Sequence, residues 1–446
     1  MKHKILTPVV AIIYSTLSCF SHVLAQDVRL LPLGDAISRS IQNSGKLKIA
    51  DAKVEEAKAL HHESLNNRLP EIRVSASYLR LNAPDVSLKM NTSGTQTGEE
   101  NTSSSTPKVD QAAYALVNAS VPLFAGFRIK YGIESAKYLE QATRLDAEKD
   151  KEEVILNVIS AYSNLYKAQK SVALVKENLE REKQRVIDFS NLEQNGVMAR
   201  NDLLKAQLQK SNIELALLDV ENSLNITNVN MNLMLGLPVS TILMTDSSGF
   251  DVVPMPGTIN EWIDKALTNR KDRSALALRI QAASIAVKAN TGAYYPSLAF
   301  TGGYVAANVP NLLILSNALN AGVGLQYDIA SLYKTSAKVD AAKARLHQAQ
   351  AADGILADQV KLEIFNAYQN YIVSVRKIDV YKKSVEQANE NYRITKNKYD
   401  NSLVTTTELL DADVAQLQAQ LNYAFSKADA AVAYKKLEQT AGVLKQ

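Results

Sequence analysis

Two acidic residues near the C-terminus have a spacing that could attract cations. Glu408 and Asp411 are three residues apart, so in a helix their carboxylates would lie on one face. Several such faces around one axis would favour cations and slow anions. The same residues also fit a structural role, because Thr405-x-x-Glu408 is a capping box that begins a helix. Asp202 starts another predicted helix, where an acid stabilises the helix dipole, so both roles stay open.

The other chemistry-bearing residues favour neither catalysis nor metal binding. The seven methionines do not cluster, and the histidines lack the spacing of a zinc site. The five histidines are His3, His22, His61, His62 and His347. His61 and His62 face two sides of a predicted helix, where we expect them to be solvated. The sequence has no nucleophile elbow, phosphate-binding loop or dinucleotide fingerprint, so we expect no enzyme activity, cofactor or metal.

The charge balance excludes another class of partner. The net charge is +4, and part of it lies at the extreme N-terminus. A nucleic-acid-binding protein would carry a basic surface or a zinc-finger or RNA-binding motif, and the sequence shows none of these. We therefore expect no nucleic-acid partner.

The N-terminus has the pattern of a signal peptide at residues 1–25. Lys2 and Lys4 precede a short apolar core, and Ala25 fits a small-residue cleavage site. Cys19, the single cysteine, lies inside this leader, so the mature chain would need no disulfide and suits an oxidising compartment. A lipoprotein acylated at Cys19 is the alternative. Beyond the leader, no run of about eighteen apolar residues predicts a transmembrane helix.

Two short interruptions of the helical pattern are similar to each other. One is LEQNGVMARNDLL at residues 192–204, and the other is YDNSLVTTTELL at residues 399–410. Both break just after an asparagine, and both resume with an acid followed by two leucines. We therefore predict two equivalent turns between long helices, which we call the first and the second tip.

The tips belong to a repeat that extends along the chain. With a shift of 226 residues Ile37 aligns with Ile263, and with a shift of 206 residues Asn195 aligns with Asn401. The predicted organisation is a first repeat at 26–237, a linker at 238–257 and a second repeat at 258–446.

Each repeat contains two stretches in which apolar residues alternate with small or polar ones, the period of a strand with one apolar face. The four predicted strands lie at about 71–82, 112–123, 297–307 and 319–329. A tilted strand needs about ten residues to cross a bilayer, and these have that length; soluble hairpins are the alternative. A polar loop is predicted at Asn91–Pro107. The run NLLIL at Asn311–Leu315 is apolar for a loop, and we expect it to fold over a barrel mouth or to pack between protomers.

The helical patterns have matching lengths. Long helices are predicted at about 126–194 and 332–400, and shorter ones at 34–69, 200–235, 258–293 and 406–441. Two short helices together match one long helix, so each repeat is predicted to pair them antiparallel. Heptad-like seams predict knobs-into-holes packing, although a simple coiled-coil rod is the alternative. The seams are Leu204, Leu208, Ser211, Leu215 and Leu218 in the first repeat and Leu410, Val414, Leu417, Leu421, Ala424, Ala428 and Ala431 in the second.

Four strands are too few to close a barrel, and an open sheet edge is not tolerated in lipid. The chains must therefore associate, and three copies would supply 3 × 4 = 12 strands. The predicted fold class is α+β, with a β-hairpin and long antiparallel coiled-coil helices in each repeat. In the trimer, a 12-stranded β-barrel would continue into a tube of helices.

The order of these features resembles the TolC family of outer-membrane efflux and secretion ducts. The resemblance covers about Leu31–Leu444 and rests on the ordered repeat together with short motifs. The motifs are LGDAISRSIQNS near the start, LP and YP before the first strand of each repeat, PLFAGFR before the first long helix, the two tips, and the LGLP and AGVL endings. The resemblance implies a homotrimer with a barrel in outer-membrane lipid and an α-helical barrel in the periplasm. It also implies a periplasmic adaptor and an inner-membrane pump of the RND or ABC type as partners.

The same resemblance implies a gate at the tips. Its residues would be Asp202 in the first tip and Tyr399, Glu408 and Asp411 in the second. Where the family pattern has an arginine, this chain has Val404, so the usual acid–arginine contact is missing and Arg200 or Lys205 could replace it. The implied adaptor-docking residues are Gly196, Val197, Met198, Ala199, Ser402, Leu403, Val404 and Thr405.

The function predicted from these observations is that of a passive exit duct for small molecules in a tripartite efflux system. A duct for type I protein secretion is one alternative. A periplasmic coiled-coil scaffold or adhesin without a pore is an alternative of another class.

Overall fold

The structure, a computed structural model, describes residues 28–82, 109–246, 250, 254–310 and 312–444. The predicted signal peptide with Cys19, the polar loop Asn91–Pro107, Asn311 and part of the predicted linker lie outside these residues.

The described residues form an α+β fold that is mostly helical. The helices are α1 (Leu33–Asn43), α2 (Gly45–Asn66), α3 (Arg128–Gln194), α4 (Arg200–Leu235), α5 (Ile259–Asn269), α6 (Lys271–Thr291), α7 (Ser331–Asp400) and α8 (Thr406–Thr440). The strands are β1 (Val28–Leu31), β2 (Glu71–Arg80), β3 (Gln111–Ala125), β4 (Ile242–Thr245), β5 (Ser297–Val309) and β6 (Leu313–Gln326). Helices α3 and α7 are the long ones, with 67 and 70 residues.

The chain divides into two compact units, each built from separate segments. The first comprises residues up to 52, residues 145–274 and residues from 355 onward, and the second comprises residues 53–144 and 275–354. The described residues of the first unit include four clusters of buried apolar side chains. The second contains the larger β-sheet.

This larger sheet is antiparallel throughout, with the strand order β2-β3-β5-β6. One row across it consists of Val74, Val117, Tyr304 and Leu319, and the next row consists of Arg73, Asn118, Gly303 and Asn320. Because successive residues of a strand point to opposite faces, the sheet has one apolar face and one polar or small-residue face. Among the described residues, β2 and β6 each lack a partner on their outer edge.

In the described part of the apolar run, residues 313–315 form a strand rather than the loop that the sequence predicts. This strand is β6, where Leu313, Ile314 and Leu315 pair with Val309, Asn308 and Ala307 of β5. A run of large aliphatic residues favours a strand, and this strand begins six residues earlier than expected. The register shifts where β6 passes Asn317, whose φ of 58° marks a local irregularity.

The shorter helices of the two repeats are interrupted at corresponding positions. The sequence predicts continuous helices at 34–69 and 258–293, but the backbone is extended at Ser44 (ψ 115°) and at Arg270 (ψ 126°). These residues are 226 positions apart, which is the repeat shift. Arg270 donates to Asp272 (2.6 Å) and Glu363 (2.5 Å). Burial opposes the charged form, but these two carboxylates raise the pKa of Arg270 well above its usual range.

A short parallel pair of strands, β1 and β4, lies within the first unit, where the sequence predicts no strand. The buried Tyr162 hydroxyl fixes it by donating to the Leu31 carbonyl oxygen (2.8 Å) and accepting from the Asp246 amide (2.7 Å). The sequence gives no sign of this pair because four residues are too few for a strand period to show. Burial raises the pKa of Tyr162.

Candidate gate at the helical tips

The first tip, between α3 and α4, depends on a glycine with a left-handed backbone. Gly196 has φ +70°, and the Val197 amide donates back to the Leu192 carbonyl at 2.9 Å. This is the hydrogen bonding of a helix that ends at a residue with positive φ. A Cβ on Gly196 would meet no atom within 4 Å, so the backbone conformation alone favours glycine there.

The second tip, between α7 and α8, repeats this geometry with a serine. Ser402 has φ 60°, and the Leu403 amide donates to the Lys398 carbonyl at 2.8 Å. Gly196 and Ser402 are 206 residues apart, so the two tips are equivalent in backbone as well as in sequence. A non-glycine residue in this region costs roughly 1–2 kcal/mol.

Tyr399 packs inside the second tip. Its ring stacks on that of Phe189 with centroids 5.6 Å apart, and its hydroxyl lies 3.4 Å from Thr406 Oγ1. It joins a buried apolar cluster with Leu203 and Leu409. Burial raises the pKa of Tyr399, and the nearby Asp202 carboxylate also raises it. The tyrosine is therefore a contact between the two tips within one chain.

Asp202 is half-buried in the first turn of α4, and its partner is a lysine. Lys205 Nζ lies 3.3 Å from Asp202 Oδ1. Arg200, the other expected substitute for the missing arginine, is 80% exposed and approaches Glu193 at 4.0 Å. Of the two candidate cations, Lys205 is the one that pairs with Asp202 in this chain.

The two acids of the second tip have different environments. Glu408 forms the predicted capping box: its amide donates to Thr405 Oγ1 (3.3 Å), and its Oε1 accepts from the Thr405 amide (3.3 Å). Asp411 lies one turn further along α8 and is exposed. Capping thus accounts for the position of Glu408, whereas Asp411 is an exposed side chain.

The predicted docking segments expose apolar side chains at equivalent positions. Val197 is 74% exposed and Leu403, which is 206 residues later, is 72% exposed. Met198 instead packs beside the apolar cluster under the tips, and Val404 is half-buried. The remaining docking residues, Gly196, Ala199, Ser402 and Thr405, are exposed.

A buried group of polar side chains lies between α3, α7 and α8, and sequence reasoning missed it. We call it the charge cluster: Asn178, Glu182 and Arg185 of α3, Tyr392 of α7 and Asp413 of α8. Arg185 pairs with Glu182, lies 3.4 Å from Asp413 Oδ1 and donates to the Tyr392 hydroxyl (3.0 Å). Asn178 donates to Asp413 Oδ2 at 2.7 Å. Glu182, Asp413 and Asn178 are at most 1% exposed.

The electrostatics of this cluster are unbalanced, because two carboxyl groups surround one guanidinium group. Burial is the main cause that raises the pKa of Glu182, to about 7, and Asp413 adds to it while Arg185 opposes it. Among the described residues, Glu182 Oε2 has no hydrogen-bond partner. The sequence contained one sign of this cluster. Asp413 lies four residues from Leu409 and four from Leu417, so in a helix this acid shares their buried apolar face.

The predicted seam of the first repeat is exposed within the chain. Leu204, Leu208, Leu215 and Leu218 of α4 are 51–63% exposed. The buried residues of this helix are their neighbours, including Leu203, Ala206 and Ile213. In the second repeat Leu410 and Leu417 are buried as predicted, but Val414 is not. The seam on α4 is therefore an apolar stripe that the described part of the chain leaves exposed.

His61 is not solvated as the sequence predicts. It is half-buried, with its Nδ1 2.7 Å from Glu140 Oε2.

Within the described residues, no group of three or more histidine, cysteine or acidic side chains could hold a metal ion. None of the described helices combines the length and the apolar character needed to cross a membrane.

Comparison with known proteins places the chain in a family. The model of the outer membrane efflux protein family matches residues 36–237 and 262–443. The chain belongs to the outer membrane efflux protein family. The resemblance to TolC-like channels is confirmed, and membership localises the chain to the cell outer membrane, with an extension into the periplasm.

Among individual proteins, the outer membrane efflux protein BepC of Brucella suis biovar 1 (strain 1330) is 22% identical over 253 residues. That alignment spans 55% of this chain and 54% of BepC, so the chain matches about half the length of this relative.

Solved structures share the fold over nearly the whole chain. The outer-membrane channel OprN has a TM-score of 0.75 at 19% identity, with 92% of this chain and 89% of OprN covered. CusC has a TM-score of 0.77 at 19% identity, with 92% of each chain covered. The CmeC outer membrane channel of Campylobacter jejuni has a TM-score of 0.74 at 19% identity, with 93% and 86% covered.

Proposed function

We propose that this protein is the exit duct of a tripartite efflux system and passively conducts small molecules out of the cell. The observation that carries the proposal is the efflux-family match, which includes both tip-bearing segments of the chain. The partners would be a periplasmic adaptor and an inner-membrane pump of the RND or ABC type. The relatives that support this proposal include BepC, which is named as an efflux protein.

The unit of function would be a homotrimer, and two features of the single chain support this. In the part of the chain that the structure describes, the outer edges of β2 and β6 lack partners, and an unpaired edge cannot face lipid. Three copies would join these edges into a closed barrel of 12 strands. The exposed stripe of leucines on α4 offers a second surface for a neighbouring protomer.

The tips would form the resting gate of this duct. Asp202 and Tyr399 would hold the two tips together, because the Asp202 carboxylate lies near enough to raise the pKa of Tyr399, and Tyr399 stacks on Phe189 of α3. Three copies of Asp411, with Glu408 nearby, would gather carboxylates around the trimer axis and favour cations. The exposed Val197 and Leu403 would contact the apolar surface of the adaptor.

Single-channel recording from the purified protein in a planar bilayer tests this function. We expect a small, cation-preferring conductance that grows in the double variant Asp202→Ala, Tyr399→Phe. Glu55→Ala, at an exposed site on α2, is the control and should match the wild type. A trimer without any conductance would overturn the proposal and favour a scaffold. Deletion of the gene should raise drug sensitivity, whereas loss of a secreted protein alone would favour protein secretion.

A further inference from the structure

The charge cluster separates two apolar layers between the helical hairpins α3–α4 and α7–α8. One layer is Val175, Leu179, Ile213 and Leu417, and the other is Phe189, Leu203, Ala206 and Leu409. Arg185 precedes the tip residue Gly196 by eleven positions, which is roughly 16 Å along a helix. The cluster is therefore distinct from the contacts of the tips themselves.

The contacts of Arg185 join the two hairpins. This residue belongs to α3 of the first hairpin, and it reaches Tyr392 and Asp413 on both helices of the second. Asn178 adds another bond from α3 to Asp413. Separation of the hairpins at this level would break all of these contacts together, because they share one guanidinium and one carboxylate.

Stability alone does not explain a charged layer at this place. Well-packed apolar residues in place of a buried ion pair are often neutral or stabilising, since burial of charge is costly. The layers on both sides are apolar, so aliphatic residues would continue the packing. A buried charged layer instead favours one alignment of the packed helices and can act as a switch between two states, which is the best-attested role of buried charged groups.

We propose that the charge cluster is a second tie between the hairpins, which holds the resting duct closed independently of the tips. This inference rests on the proposed function as a gated duct. The tie connects α3 with α7 and α8, and it must break when the hairpins move apart.

The protonation of Glu182 controls the strength of this tie. With Glu182 protonated, Arg185 and Asp413 balance in charge; once Glu182 ionises, the buried cluster carries one excess negative charge. The pKa of Glu182 is raised from 4.5 to about 7, so the closed state holds a proton that an opened, solvated state releases. Opening therefore becomes easier as pH rises from about 4.5 to about 7, and it stays easier above that range.

The groups around Glu182 leave few competing sources of this pH dependence. On α3, the neighbouring Arg181 donates from Nη1 to Glu177. On α7 the cluster contains Tyr392, and on α8 it contains Asp413. Helix α4 contributes apolar residues to both layers, and its charged Lys210 and Glu214 pair with each other at 3.3 Å.

The decisive test records single-channel open probability at pH 6 and pH 8 for wild type, Glu182→Gln and Glu177→Gln. Wild type should open about tenfold more often at pH 8, following the ionised fraction of a group that titrates near 7. Glu182→Gln keeps the neutral form, so it should stay closed at both pH values. Glu177→Gln changes an exposed glutamate of the same helix and should behave as wild type.

The outcomes separate the tie from the proposed function. If wild type conducts but Glu182→Gln retains the full pH response, the tie is wrong and the duct stands. If no variant conducts, the duct is wrong, and hydrogen exchange at pH 8 still tests the tie. Residues 178–185 and 409–417 should then exchange on the order of 10²-fold more slowly in Glu182→Gln than in wild type, and equal rates would overturn the inference.

Discussion

Replacement of Arg185 by methionine should weaken the packing between the hairpins more than any other single change in the charge cluster. The guanidinium group contacts Glu182, Asp413 and Tyr392. Methionine would keep the length of the side chain but leave two carboxyl groups buried without a cation. Loss of one partner from a buried ion pair costs about 3–5 kcal/mol, because the remaining charge stays desolvated.

That cost translates into a large local effect. Each 1.36 kcal/mol is a factor of ten in an equilibrium constant, so local opening should become roughly 10²–10⁴ times more frequent. Hydrogen exchange measured by mass spectrometry on the detergent-solubilised protein reports this opening for residues 178–185 and 409–417. Peptides from the β2–β3 sheet serve as an internal reference, because that sheet belongs to the other unit.

Two further variants make the reasoning falsifiable. Arg181→Met is the matched control. This half-buried arginine lies on the same helix and pairs with the exposed Glu177, and among the described residues its buried Nε and Nη2 have no hydrogen-bond partner, so its loss should speed exchange by less than about threefold. A triple variant, Glu182→Leu, Arg185→Met, Asp413→Leu, should recover the slow exchange of wild type, because an apolar layer removes the uncompensated charge. Fast exchange in the triple variant, or equal effects of Arg181→Met and Arg185→Met, would refute the charge argument.

Three other predictions test the remaining architecture. Tyr162→Phe should destabilise the short parallel strand pair by about 1–3 kcal/mol, because it leaves buried backbone groups without a hydrogen-bond partner. The midpoint of thermal unfolding should fall, and an unchanged midpoint would contradict this prediction. Leu208→Glu, at an exposed site on α4, should abolish the trimer while the far-ultraviolet circular dichroism spectrum stays unchanged. If native mass spectrometry still shows a trimer, the exposed leucines of α4 do not belong to the interface between protomers. Ser402→Gly should stabilise the second tip by about 1 kcal/mol, and Gly196→Ala should destabilise the first tip by a similar amount. Hydrogen exchange at each tip measures both effects, and effects of the same sign would contradict the shared backbone geometry.

Local and periodic features were accessible from the sequence. The alternation around Val74 and Tyr304 predicts strands, and the structure places these residues in one row of the sheet. The breaks after Asn195 and Asn401 predict the tips. In the structure, the residue after each asparagine has a positive φ, which ends the long helix there. The capping box of Thr405 and Glu408 was equally readable. Each of these signals lies within a few residues of the element it describes.

Features that depend on distant partners were not accessible. The helix break at Arg270 is stabilised by Glu363, which lies 93 positions away. The exposure of the α4 stripe depends on which face of that helix the other helices cover, and a heptad pattern does not say whether its partner belongs to the same chain.

The sequence by itself determined the repeat, the helices and strands with their approximate ends, and the equivalence of the two tips, because these follow from periodicity and local backbone preference. The tertiary structure alone decided that Lys205 pairs with Asp202, that Tyr399 stacks on Phe189, and that Asp413 lies in a buried ionic layer. The physical reason is that burial and pairing energies belong to contacts between residues far apart in the chain. The same acid is a solvated residue or a buried charge according to what packs against it.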